Sequence, residues 1–278
     1  MEQAFVKRIG DSLESIRRKK PLIHHITNYV TVNDCANITL AIGASPIMAD
    51  DIGEAAAITS ISSALVLNVG TLNERTIESM LAAGKRANEI KIPVVFDPVG
   101  AGSSELRNKA IKRILHEVRI SVLRGNMSEI RFIAGLNSSA KGVDASDADM
   151  QGGVEIGHSV AETVAKNYGC IAAITGATDF LSDGRRTILL HNGTELLSNV
   201  TGTGCMCTSL IGSFCGATED YLAAAAGGVL CMSIAGEIAA ERAGEKGNGS
   251  FHMALIDAVS KMTATTIEGK AKIHEASN

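Results

Sequence analysis

Val200-Thr201-Gly202-Thr203-Gly204-Cys205 is the stretch whose reading decides the fold. Two glycines in a short polar turn let a backbone approach a ligand with no side chain in between. The run that follows, Met206-Cys207-Thr208-Ser209-Leu210-Ile211-Gly212-Ser213-Phe214-Cys215, is small and apolar and reads as a buried helix. The run before it, Glu195-Leu196-Leu197-Ser198-Asn199, reads as the end of a strand. A strand-to-helix turn of this kind presents free N–H groups and the positive end of a helix dipole, which together suit an anion, most often phosphate. The alternative is a tight turn that only packs a helix on a sheet, and the turn alone does not separate the two.

Working outward, helical and strand patterns alternate. Residues 2–19 carry Phe5, Ile9, Leu13 and Ile16 at helical spacing, then a basic run closed by Pro21. Short apolar strands are expected at 22–26, 45–49, 64–69, 93–96, 120–123 and 171–174. Helices are expected at about 33–42, 55–58, 73–90, 104–116, from near Ser128, and at 153–168. Asp183-Gly184 joins two further strands, near 179–182 and 186–191, as a hairpin. The C-terminal third reads as helical: Thr218-Glu219-Asp220 starts a long helix to about Ala243, and Ser250 caps a last one. Residues 137–150 are polar, loop-like and unassigned. This alternation predicts an α/β fold with a largely parallel sheet and helices on both faces, as one domain over residues 1–278.

Ligands in such folds bind beyond the carboxyl ends of the strands. Polar and glycine residues gather there: Thr27-Asn28, Met48, Gly70-Thr71, Asp97-Pro98-Val99-Gly100-Ala101-Gly102, Arg124-Gly125-Asn126 and Thr175-Gly176. Composition narrows the partners. A net charge of -4 leaves no basic footprint for nucleic acid, and 3% aromatics with no Trp leave few stacking platforms. No run reads as long enough to cross a membrane, and the N-terminus has no apolar signal core, so a soluble protein is expected. Cys35, Cys170, Cys205, Cys207, Cys215 and Cys231 form no paired framework and read as reduced thiols of a cytoplasmic protein.

Several strand-end residues suit phosphoryl transfer. Asp97 and Glu129 could hold Mg²⁺ directly or through its waters, and each is alternatively a cap or turn residue. The fork of Arg124 matches phosphate oxygens, or else serves a surface ion pair. Thr175 caps a turn or touches a phosphate. There is no GxxxxGKS or GxxxxGKT stretch, and the 202–207 turn lacks the third glycine of a dinucleotide fingerprint. Cys205 and Cys207 with His24 and His25 lack the spacing of a tetrahedral zinc site.

Taken in order, Ile26-Thr27-Asn28-Tyr29-Val30, Gly43-Ala44-Ser45-Pro46-Ile47-Met48, Asn68-Val69-Gly70-Thr71-Leu72, Asp97-Pro98-Val99-Gly100-Ala101-Gly102, Arg124-Gly125-Asn126-Met127-Ser128-Glu129 and Val200-Thr201-Gly202-Thr203-Gly204-Cys205 resemble the hydroxyethylthiazole kinases of the ribokinase-like superfamily, over about residues 20–240. The resemblance implies a three-layer αβα fold. It implies transfer of the ATP γ-phosphoryl group to the primary alcohol of 4-methyl-5-(2-hydroxyethyl)thiazole, a step towards thiamine phosphate. It also implies Mg²⁺ and a homotrimer with the thiazole pocket at a subunit boundary.

By the same resemblance, Met48, Asn28 and Gly202 bind the thiazole alcohol, Arg124 and Thr175 contact ATP, and Asp97 and Glu129 stand on the magnesium side. Cys205 matches the position where most ribokinase-like sugar kinases carry an aspartate base. Arg124 stands where many relatives have lysine. A helix N-terminus lowers a thiol's pKa, so Cys205 is expected to be partly thiolate. It could accept the alcohol proton, hold the alcohol by a weak contact, or be a small residue tolerated beside the anion hole. A related kinase acting on a hydroxymethylpyrimidine or pyridoxal alcohol, and a non-catalytic ligand sensor, are the other readings of the same fold.

Overall fold

The computed structural model describes residues 2–136 and 147–276. In chain order the elements are α1 (Glu2–Lys19), β1 (Leu22–Ile26), α2 (Val32–Ile42), β2 (Ser45–Met48), α3 (Ala55–Ser60), β3 (Ala64–Asn68), α4 (Glu74–Ile90), β4 (Val94–Asp97), α5 (Glu105–Glu117), β5 (Val122–Asn126), α6 (Met127–Ile133), α7 (Asp147–Tyr168), β6 (Ile171–Thr175), β7 (Asp179–Ser182), β8 (Thr187–Leu190), α8 (Thr203–Cys215), α9 (Tyr221–Ala243), α10 (Asn248–Ser260), α11 (Ala264–Lys270) and β9 (Ile273–Glu275). The strands form one sheet in the order β2-β1-β3-β4-β5-β6-β7-β8-β9. Pairing is parallel from β2 through β6 and antiparallel from β6 to β9.

Strand side chains alternate between two cores. Val66, Val95 and Val122 face α8 and α9, while Leu65, Leu67, Val94, Phe96 and Leu123 face the α4, α5 and α7 side. Burial on both faces explains why these strands read as continuous apolar runs. Phe5, Ile9, Leu13 and Ile16 of α1 are all buried, at roughly 1.5–3 kcal/mol each, which docks that helix firmly. The three-layer arrangement expected from the sequence is the one observed.

Several boundaries differ from the sequence reading. Strand β5 runs Val122–Asn126, two residues later than expected, so Arg124, Gly125 and Asn126 lie within it and not after it. Residues Glu195–Asn199 are a 3-10 helix and not a strand end. The Thr194 hydroxyl caps it, and Leu196 and Leu197 turn onto the core beside α9. Helix α7 begins at Asp147, six residues early, and the rest of the unassigned 137–150 segment, residues 137–146, lies outside the described residues. Ser250 lies inside α10, which starts at Asn248 after Gly247. Beyond it come α11 and the edge strand β9, both short and polar enough to escape a periodicity search.

The expectation that no run could span a membrane is also corrected. The helical stretch Tyr221–Lys246 contains an apolar window of mean hydropathy 1.7, yet 89% of that window is buried by the chain itself. Its small residues, Ala223 to Ala226 with Gly227 and Gly228, allow it to sit as a central core helix against α8.

Candidate active site

The carboxyl ends of the parallel strands deliver their polar residues to one side of the sheet. Register sets Asn68 beside Asp97 and Asn126 beside Thr175. Helix α8 begins over the same edge. Its N-cap, Gly202, has φ +89°, a left-handed conformation that L side chains rarely adopt, and no side chain caps the helix. The first helical bond runs from Met206 N–H to the Gly202 carbonyl at 2.8 Å. The N–H groups of Thr203, Gly204 and Cys205 therefore have no acceptor within the helix. The free N–H groups expected at this helix start are present, although a 3-10 helix and not a strand precedes the turn.

Arg124 stands against this helix end. A Cβ on Gly204 would lie 2.7 Å from its Nη1, so glycine here lets the guanidinium lie close against the backbone. Nη2 donates to the Thr175 hydroxyl at 2.5 Å, Nη1 lies 3.5 Å from Asp97 Oδ2, and the buried Nε has no partner. Arg124 is thus an interior ion-pair residue and not the surface one the sequence left open.

Asp97 is fully buried. Its Oδ2 accepts from the Thr208 hydroxyl at 2.7 Å and from the Asn68 amide at 3.0 Å. Its Oδ1 has no hydrogen-bond partner. Burial pushes the carboxyl up to about 6, with Arg124 opposing and Glu129 adding to the rise. Glu129 completes a capping box on α6: Oε2 accepts from Asn126 N–H at 2.8 Å and Oε1 from Gly100 N–H at 2.7 Å. The cap reading of Glu129 is realised, and the carboxylate also ties the 98–102 loop to β5.

Cys205 departs from expectation. Burial raises its thiol, and the Asp97 charge raises it further, against the opposing effect of Thr31, Asn28 and Asn68. The helix terminus was visible in the sequence, but the enclosing side chains and the neighbouring carboxylate were not. The side group at this position is a neutral thiol, and the expected partial thiolate is withdrawn.

Two cavities meet here. The larger, about 680 Å³, is lined by Arg124, Thr175, Gly176, Asp179, Asn192 and Gly204 among others. The smaller, about 350 Å³, is lined by Asn28, Gly70, Asp97, Glu129, Gly202 and Cys205, and it shares Arg124 and Gly204 with the first. The structure therefore brings together Asn28, Asp97, Arg124, Glu129, Gly202 and Cys205, with Thr175 on the far side of Arg124. Met48 is not brought in: it ends edge strand β2, half-buried, away from both linings.

Four residues escaped the sequence reading. Asn68 and Thr208 bind Asp97 from β3 and α8; Asn68 ends its strand and opens one of the stretches that carry the resemblance, while Thr208 had no signal but its place one turn past Gly204. Asp179, whose Oδ1 accepts from Gly176 N–H at 2.9 Å, is raised to about 7 by burial, opposed by that bond and by Arg124. Arg107 on α5 donates to the carbonyls of Val69, Val99 and Gly70 and so fastens the loops after β3 and β4; nothing local marked it.

Comparison with known proteins agrees with this geometry. Residues 13–265 match the model of the hydroxyethylthiazole kinase family. A hydroxyethylthiazole kinase of Clostridium beijerinckii is 65% identical over 96% of this chain and 97% of its own length. The solved structure of the hydroxyethylthiazole kinase protein from Pyrococcus horikoshii OT3 superposes with a TM-score of 0.88 at 38% identity, covering 98% of this chain and 100% of that one. A ribokinase-like superfamily protein from Enterococcus faecalis, 9% identical with a TM-score of 0.64 over 95% of this chain and 96% of its own, shares the fold alone. With the ordered strand-end residues, the uncapped helix and these likenesses taken together, the chain belongs to the hydroxyethylthiazole kinase family.

Proposed function

We propose that the chain transfers the γ-phosphoryl group of ATP to the primary hydroxyl of 4-methyl-5-(2-hydroxyethyl)thiazole, forming the thiazole phosphate used in thiamine salvage. One observation carries this reading: a larger and a smaller cavity meet at the uncapped N-terminus of α8, with Arg124 and Gly204 as their common wall. ATP takes the larger cavity, with Arg124 and Thr175 toward its phosphates. The alcohol takes the smaller one, beside Asn28, Gly202 and Cys205. The alcohol oxygen forms the new bond to phosphorus as the bond to the ADP oxygen breaks, and the alcohol proton passes to solvent water.

Such transfer depends chiefly on position and on neutralising charge. The three free N–H groups and the helix dipole hold the transferred phosphate, and Arg124 balances its charge. Cys205, as a neutral thiol, positions the alcohol and adds a minor share of the rate.

The carboxylates fit Mg²⁺. Asp97 Oδ1 is buried and unpartnered, which leaves it free for a cation or its water. Both oxygens of Glu129 already accept a backbone N–H, so it would act through water. Among the described residues no cluster of three or more His, Cys, Asp or Glu side chains is arranged for a metal, which suits an ion that keeps its waters and takes phosphate oxygens as ligands. Bound there, Mg²⁺ would neutralise phosphate charge.

A homotrimer with the site at the subunit boundary is part of the proposal. It is supported by β2, an edge strand that Met48 ends half-buried, and by exposed Tyr29, Val30, Leu40 and Ile52 on the segments around β1 and β2. A partner there would bring Met48 under cover and complete the alcohol pocket.

An ATP-consumption assay with the thiazole alcohol, a hydroxymethylpyrimidine and pyridoxal tests the assignment. Turnover is expected with the thiazole alcohol, and is expected to stop when Mg²⁺ is chelated. Preference for another alcohol, or no turnover with any, would overturn it.

A further inference from the structure

Asn68 takes part in neither cavity's lining, yet it touches both of the groups most closely tied to the smaller one. Its amide orientation is fixed without ambiguity. Oδ1 accepts the backbone N–H of Gly70 at 2.9 Å, and a backbone N–H can only donate. Nδ2 must then face the other way, where it lies 3.0 Å from Asp97 Oδ2 and 3.3 Å from Cys205 Sγ.

Asn28 is fixed by the same logic. Its Oδ1 accepts the backbone N–H of Thr31 at 3.2 Å, so its Nδ2 faces Asn68 Oδ1 at 3.0 Å and Cys205 Sγ at 3.2 Å. The sulfur thus receives one N–H from each of two amides. A neutral thiol has two lone pairs, and the two amides face them. Its single hydrogen is left to the remaining side, where the Thr31 hydroxyl, itself donating to Asn28 Oδ1, and the smaller cavity lie; Thr31 and Cys205 both line that cavity.

We propose that Asn68 is a positioning residue for the transfer reaction: with Asn28 it makes the Cys205 sulfur a hydrogen-bond acceptor on its inner side, turning the S–H into the alcohol pocket as a donor, while the same amide locks Asp97 at a fixed distance. The inference rests on the functional reading above. Asn68 needs no contact with substrate to act. It sets the direction of one donor and the place of one carboxylate, and the Gly70 N–H and the Asn28 amide hold it in turn. The arrangement also explains why the turn after β3 carries glycine at position 70, where a Cβ would lie 2.8 Å from the Asn28 Nδ2 and push that amide off the sulfur.

Steady-state kinetics of the full chain with MgATP and the thiazole alcohol test this, comparing Asn68→Ala, Cys205→Ala and the double variant. Wild-type turnover checks the functional reading; the variants, measured against it, check Asn68. Expected is a fall in kcat of about tenfold or more for Asn68→Ala, with KM for ATP within about threefold of wild type. In the Cys205→Ala background the same change should cost at least about threefold less, because part of its effect passes through the thiol. A kcat within twofold of wild type would overturn the proposal, as would effects that simply multiply. If circular dichroism shows that Asn68→Ala does not fold, Asn68→Ser and Asn28→Ser carry the same comparison, with the same coupling to Cys205 expected and the same multiplicative result refuting it.

Discussion

Replacing Arg124 with methionine keeps much of the side-chain stem and removes the guanidinium that stands 3.5 Å from buried Asp97. Breaking a buried ion pair commonly costs about 3–5 kcal/mol, because the surviving charge is left unpaired. Here a ceiling applies. Burial already holds the Asp97 carboxyl at about 6, with Arg124 in place. At pH 7 the ionised form is then favoured over the protonated one by only about 1.4 kcal/mol. Without Arg124 the carboxyl takes up a proton instead of remaining an orphan charge, so the electrostatic loss stops near that value.

The sign of the pH dependence follows from the direction of the shift. A folded pKa of about 6 lies above the ordinary 3.8, so the folded chain holds this proton more tightly than the unfolded chain does. Asp97 favours the fold at low pH, and that contribution declines by roughly 3 kcal/mol as pH rises through about 4 to 6. In wild type the decline then levels off; in Arg124→Met it continues upward. The stability difference between the two should therefore widen by about 1.4 kcal/mol between pH 5 and pH 7. The lost bond to Thr175 does not depend on pH and cancels from this comparison. Urea denaturation at both pH values, with EDTA present to exclude divalent ions, measures the increment. A widening of 3 kcal/mol or more, or none at all, would falsify the reasoning. In kinetic assays the same variant should lose about 10²–10³ in kcat/KM, as expected when a charge aimed at the transferring phosphate is removed.

Other outcomes follow from the same geometry. Gly202→Ala imposes a left-handed conformation that costs about 1–2 kcal/mol and places a Cβ 2.7 Å from Thr31 Cγ2; the KM for the alcohol should rise and kcat fall, and unchanged kinetics would count against a close-fitting turn. Cys205→Ala should retain far more activity than Asp97→Ala, since the thiol contributes position and little else; equal losses would invert that ranking. Cys205→Asp keeps an acceptor for the two amides but removes the S–H donor, so kcat should fall below that of wild type; a folded variant as active as wild type would tell against a donor at this position. Arg107→Ala leaves three loop carbonyls without their donor and should lower stability by about 1–3 kcal/mol in urea; proteolytic nicking near residues 70 and 100 should rise with it.

The sheet was legible because its strands are buried on both faces and bounded by glycine, proline or charged turns. The candidate site was legible where a polar residue stands at or near the carboxyl end of such a strand, as Asp97, Arg124 and Thr175 do. What could not be read was anything set by tertiary enclosure. Asn68 ends its strand as an unremarkable polar residue until register places it beside Asp97. The shift of Cys205 depends on walls contributed by β3, β4 and the segment after β1, far away in sequence. Strand β9 has only three residues, and it is a strand because β8 offers it an edge, not because its own pattern demands one.

The guanidinium that forms the partition between the two chambers has a thermodynamic consequence. On the proposed placement of ATP and alcohol, occupants on either side meet the same positive group, so neither binds independently of the other. An anion in the larger chamber competes with Asp97 for the guanidinium, weakening that ion pair and altering the electrostatic surface awaiting the second guest. Linkage makes this mutual: whatever factor the nucleotide imposes on affinity for the alcohol, the alcohol must return in equal measure.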